Sequence, residues 1–291
     1  MCRSSKIPFL ILAFCSVVLA FGQPETEVFL ADLNIGAEAI LDSSPLNISN
    51  NPGYDNQPSF LEDGTLLYAR TRNGQTDIAR YNLKEGTTSW ISNTPGGSEY
   101  SPLKIPGREA VSAIRLDTTG LQRLYAYPLQ GGAPTLLVEG LKIGYHLWVD
   151  PELLVCTILV EDRMDLVVVN FKDGSNHTYQ KDVGRSLSTI PGSEEISYTS
   201  NQNGKRILKS MDPRTGDNKI ISVLPEGVQD ICWLTGEIVI CGSENQLLRY
   251  NTNKGDSWFA QYTLDNQKAS ISRLAYDENQ GKLAMVIEME R

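Results

Sequence analysis

Six times along the chain an apolar strand runs into a tight turn, at Asp63-Gly64, Pro106-Gly107, Asp150-Pro151, Pro191-Gly192, Thr235-Gly236 and Gln280-Gly281. Successive turns stand 41–45 residues apart. That is the length of one four-stranded blade, and a sheet of that size with two apolar faces needs neighbours of its own kind to cover them. A second series runs in the same phase, with alternating segments at 77–83, 123–129, 165–171, 206–212 and 246–252 closed by Gly86, Gly131, Gly174, Gly216 and Gly255. The predicted fold is all-β: a six-bladed β-propeller of four-stranded antiparallel blades.

One blade draws on both ends of the sequence. Strands are expected at 270–276 and 282–288 around Gly281, with partners at 27–33 and 37–41. N-terminal strands that join the C-terminal blade close the ring and leave no unpaired sheet edge. Apolar runs at 155–159, 167–169 and 238–240 fit strands covered on both faces. Trp148 and Trp233, each just ahead of a turn of the series, fit large fillers between blades.

Residues 1–22 combine a basic start (Arg3, Lys6), an apolar run at 7–20 and a small-residue exit. This is the pattern of a secretory signal peptide cleaved before Gln23, and the run is shorter than the ~20 residues of a spanning helix. The expectation is a single propeller domain over 23–291, periplasmic or secreted and not membrane-spanning. Beyond the signal lie Cys156, Cys232 and Cys241, an odd set that argues for buried free thiols rather than a disulfide framework. A two-residue Thr235-Gly236 turn pairs 232 with 239, which keeps Cys232 and Cys241 out of register. With 35 acidic against 26 basic residues the formal charge is −9, which argues against nucleic acid as a partner.

The stretch Asn51-Pro52-Gly53, Gln57-Pro58-Ser59-Phe60, Asp63-Gly64, Arg72-Asn73-Gly74, Asp77-Ile78 and Asn82-Leu83 closely resembles the repeat of TolB-like propellers, also described as WD40-like in exported bacterial proteins. Residues 92–102 restate its opening in the next blade, and the other blades keep the turns and the strand period. The resemblance implies a propeller outside the cytoplasm that presents its faces and central channel to a protein or peptide partner. TolB also carries a separate α/β domain ahead of its propeller, for which 23–291 leaves no room.

For catalysis the residues offer little. A Gly-x-Ser-x-Gly nucleophile elbow is absent, and the two histidines, His146 and His177, sit in unrelated parts of the blade pattern. Nothing in the sequence requires a cofactor, and no metal-ligand spacing appears. Asp55, Glu99 and Asp230 are the carboxylates in loops entering first strands, where propeller lyases and hydrolases hold Ca²⁺; the alternative function is such an enzyme acting on a sugar or peptide. The preferred reading is a non-catalytic binding face. Loops into first strands and between second and third strands share one side of the ring and gather Tyr54, Tyr100, Tyr145 and His146 with Arg70, Arg72, Arg115, Arg163 and Arg185. Aromatic and arginine side chains around a concave mouth are the types enriched at binding hot spots.

Overall fold

The computed structural model describes residues 23–36, 41–255 and 257–289; the expected signal peptide falls outside them. All regular structure among these residues is β, in six four-stranded antiparallel sheets. Blades I to VI begin with the inner strands Asn56–Phe60, Gly97–Lys104, Ile143–Trp148, Val183–Thr189, Cys232–Trp233 and Ala269–Asp277, and each sheet then steps outward through its remaining strands. No helix among the described residues is long and apolar enough to cross a membrane.

Blade VI closes the ring. Its innermost strand Ala269–Asp277 pairs with Lys282–Met289, which pairs in turn with Thr26–Asp32, and Thr26 to Asp32 match Glu288 to Lys282 through seven consecutive residue pairs. Among the described residues the outermost strand is Leu46–Asn47, opposite Leu30 and Phe29; the expected strand at 37–41 falls almost wholly outside them. Leu41 reaches the chain at Leu33, past the end of the Thr26–Asp32 strand, in an isolated bridge. The backbone N–H of Asp32 is taken by Ser43 Oγ at 3.0 Å, so side-chain bonding replaces a ladder there. Residues 37–40 lie outside the described set.

Apolar residues in the middle strands of every blade face both ways, and the result is one core cluster at each of the six junctions between blades. Between VI and I, Val28, Ala284 and Val286 meet Leu66, Tyr68 and Ala79, and between I and II, Leu67 and Ile78 meet Val111, Ala113 and Tyr127. Trp148 and Trp233 are buried at such junctions, and each indole N–H reaches back one blade, to Ser112 Oγ and to Ser197 Oγ, at 2.8 Å in both cases. Among the described residues Cys156, Cys232 and Cys241 are free and buried; Cys232 pairs with Ile240, one residue beyond the register expected from a two-residue turn.

The inner strands are not regular. Those of blades I, II, III, IV and VI each carry a register shift at the corresponding place: at 56/59, 100/103, 143/145, 183/187 and 271/273. An extra residue in one strand bends it and re-aims its side chain. Gln57 and Ser101 accommodate the bulge with φ of +58° and +51°. At Gly184 a Cβ has no room against Thr199, so the backbone there lies flush with the next strand.

Burial of the junction residues makes a direct prediction. Leu66 is fully buried, so Leu66→Ala should lower the unfolding free energy by ~2–5 kcal/mol, whereas Leu46→Ala, at a position 63% exposed, should change it by less than ~0.5 kcal/mol. Chemical denaturation of the two variants measures both.

Candidate functional site

The series of bulges builds the central channel. Gln57, Ser101, Tyr145, Arg185, Asp230 and Arg273, one residue from each blade, line an inner cavity of about 140 Å³. Above it opens a mouth of about 740 Å³, which shares Tyr145, Arg185 and Arg273 and adds Tyr54, Glu226, Glu244 and Glu288. Gln23 also borders the mouth, where its amide donates to the Tyr100 hydroxyl at 3.1 Å.

Charge in the inner cavity is concentrated on one triad. Arg185 Nε donates to Asp230 Oδ2 at 2.6 Å, and Arg185 also reaches the Ser272 carbonyl at 3.4 Å. Arg273 Nη1 lies 3.8 Å from the other Asp230 oxygen, and its guanidinium sits 5.3 Å from the Tyr145 ring centroid. Burial works against the charge of Arg273, but Asp230 and the phenols of Tyr145 and Tyr54 outweigh it and hold its pKa above the usual value. Two guanidinium groups thus share one carboxylate. Burial pushes the Tyr54 hydroxyl up to about 12, so it stays neutral and able to donate. Tyr54 and Tyr100 meet edge to face, with centroids 6.0 Å apart.

Four of the sequence candidates are held by carboxylates of their own blades. Arg70 reaches the Ser49 carbonyl at 3.0 Å and Asp55 at 3.7 Å; Arg72 bonds Asp77 at 2.8 Å and stacks 3.9 Å from the Trp90 ring centroid. Arg115 bonds Asp117 at 2.7 Å beneath Tyr125, and Arg163 bonds Asp165 at 2.9 Å. The structure does not bring them to the channel with Arg185. His146 is buried, with Nε2 2.7 Å from the Ser112 hydroxyl and Nδ1 without a partner; burial lowers its pKa to about 3, so the ring is neutral at physiological pH. His177 lies exposed on the outer strand Asn176–Gln180.

The three carboxylates named from the sequence also separate. Asp230 faces the channel, whereas Asp55 and Glu99 are fully buried, Glu99 at the junction between the first two blades. Asp55 accepts from Asn51 Nδ2 at 3.0 Å and from the Thr71 backbone N–H at 3.1 Å, and burial raises its pKa to about 6. Glu99 accepts from Tyr127 at 2.9 Å, and the Ser92 hydroxyl lies between Glu99 (3.1 Å) and Asp77 (2.9 Å). One hydroxyl proton serves two acids, Asp77 is held ionised by Arg72, Gln75 and Ser92 in spite of its burial, and burial with the nearby Asp77 charge raises Glu99 to about 7. Among the described residues no three His, Cys, Asp or Glu side chains gather as a metal-holding group.

Arg273, Gln57 and Ser101 were not singled out by sequence reasoning. The signal was available: they stand at the same phase of the repeat as Tyr145, Arg185 and Asp230, once per blade.

No protein-family model matches the chain, and no curated protein matches it. Solved structures do. A protein assigned as TolB from Agrobacterium tumefaciens superposes with a TM-score of 0.71 at 13% identity, over 93% of this chain and 100% of that one. The fold is that of a TolB-like propeller. An oligogalacturonate lyase in complex with manganese (TM-score 0.57, 14% identity, 85% of this chain and 80% of that one) is also similar. So is a gluconolactonase from Xanthomonas campestris (TM-score 0.63, 12% identity, 92% and 97%). At these identities the likeness is one of fold.

The buried acids predict a pH dependence. Glu99 and Asp55 bind protons more tightly folded than unfolded, so the stability they contribute is present at low pH and is lost as pH rises through about 6 to about 7. The melting temperature should fall from pH 5 to pH 8, and Glu99→Gln, which keeps a donor toward Asp77 and Ser92, should flatten the upper part of that slope. Thermal melts at intervals of half a pH unit check both signs.

Proposed function

We propose that this chain is an exported, non-catalytic propeller that takes a protein or peptide partner at the mouth of its channel. The observation that carries this reading is the meeting of Tyr54 and Tyr145 with Arg185 and Arg273 around one concavity, with Tyr100 packed edge to face on Tyr54. Tyrosine and arginine in a partly desolvated pocket are the side chains that dominate binding energy at interfaces. The likeness to TolB-like propellers and the leader-like residues 1–22 support export and a protein partner.

Affinity capture of the tagged protein after crosslinking in its host tests the reading. A stoichiometric partner is expected, and Tyr54→Ala with Tyr145→Ala should cut its recovery about thirtyfold or more, the equivalent of ~2 kcal/mol, without a matching loss of melting temperature. Undiminished recovery by the double variant would remove this face from consideration.

A second reading, a lyase or hydrolase on a sugar or peptide with a channel cation, draws on the two enzyme neighbours and on Asp230 in the channel. If it holds, millimolar Ca²⁺ or Mn²⁺ should raise the melting temperature and Asp230→Asn should abolish the rise; an unchanged melt with either ion counts against it.

A further inference from the structure

Charge along the channel is not uniform, and its order suggests what enters. The inner cavity holds two guanidinium groups and one carboxylate, an excess of one positive charge. Asp230 is already engaged by Arg185 in a charge-assisted hydrogen bond, and Arg273 stands beyond hydrogen-bond reach of it at 3.8 Å. Arg273 carries five N–H donors on a side chain only 13% exposed, with Tyr54 beside it and a hydrogen bond to the Tyr145 hydroxyl that leaves the other donors over. A buried guanidinium with donors to spare is matched by a planar anion, since carboxylate geometry fits the fork of its N–H groups. The mouth above has the opposite character, with Glu226, Glu244 and Glu288 on its wall.

We propose that the inner channel is a receptor for the carboxylate terminus of a peptide chain, with a cationic residue of that chain lying a few positions upstream, against the glutamates of the mouth. This rests on the reading of the propeller as a partner-binding module and names the part of the partner it takes. Volume sets the polarity of entry: about 140 Å³ admits the end of a chain, and about 740 Å³ admits the residues that precede it. The terminal carboxylate meets Arg273 and the outer edge of Arg185, the neutral Tyr54 hydroxyl donates a further hydrogen bond, and the aromatic rings cover the terminal side chain. A terminus placed this way leaves the Arg185–Asp230 pair intact.

Two pentapeptide libraries test the proposal, both with lysine at the third position and mixed residues elsewhere, one ending in a free carboxylate and the other in a carboxamide. Retention on the immobilised protein is read by mass spectrometry. The carboxylate library should be retained about tenfold or more over the amide, as expected for loss of a charge-assisted pair. The preference should vanish in Arg273→Gln and weaken in Arg185→Gln, two variants whose melts are recorded so that one survives if the other misfolds. Glu244→Gln with Glu288→Gln should reduce the advantage of lysine over alanine at the third position, and Glu99→Gln, away from the channel, should change neither. Equal retention of the two libraries, or a carboxylate preference that persists in both arginine variants, overturns the proposal. Retention of neither library alongside binding of galacturonate oligomers overturns it in favour of a sugar acid. If both libraries fail while a whole partner is still captured through Tyr54 and Tyr145, the inference falls and the partner reading stands; if capture fails as well, both fall.

Discussion

Every blade here is a sheet with two apolar faces, and such a sheet has no stable existence until both are covered. The constraint is met by each neighbour in turn, and the last junction depends on the pairing of Thr26–Asp32 with Lys282–Met289. That ladder sets Val28 beside Ala284 and Val286, and together they cover Leu66, Tyr68 and Ala79 of the first blade. Without it two junction clusters lose a wall. The channel exists only because the ring is shut, so the geometry of the arginine–aspartate triad is downstream of a strand pairing far from it in sequence.

Within that frame the polar side chains divide into two populations. Arg70, Arg72, Arg115 and Arg163 answer carboxylates of their own blades and serve to satisfy buried acids such as Asp77 and Asp165. Arg185 and Arg273 come from different blades and converge on Asp230 from a third. The first kind of pairing is local and repeats with the blade; the second arises from six separate strands meeting at an axis. Bulges in the inner strands are what turn the backbone enough to make that meeting possible.

This division explains what could be read in the sequence. Turn glycines and strand alternation are local, repeated properties, so blade number, phase and ring closure were legible from Gly64 to Gly281. The outermost strand of the closing blade was not, because Leu46–Asn47 contributes two residue pairs and Ser43 takes over a ladder hydrogen bond, neither of which leaves a periodic trace. Tyr145, Arg185 and Asp230 were picked out by residue type, but so were Arg115 and Arg163, which differ from them in where their carboxylate partner stands. Arg273 carries no local motif. Its significance lies in its phase within the repeat, a property of the fold rather than of its neighbours in the chain.

The closing ladder also decides how the ring responds to being pulled. Because the two strands run antiparallel, Thr26 lies opposite Glu288 and Asp32 opposite Lys282, so the segments flanking the ladder at Thr26 and Glu288 emerge from the same end. A tension applied between them loads one residue pair at a time, like a zip, instead of shearing all seven together. Tension between Thr26 and Glu288 therefore meets the resistance of one pair at each step, and a tether on either flank would act as a tab that peels the last blade and opens the channel from its side.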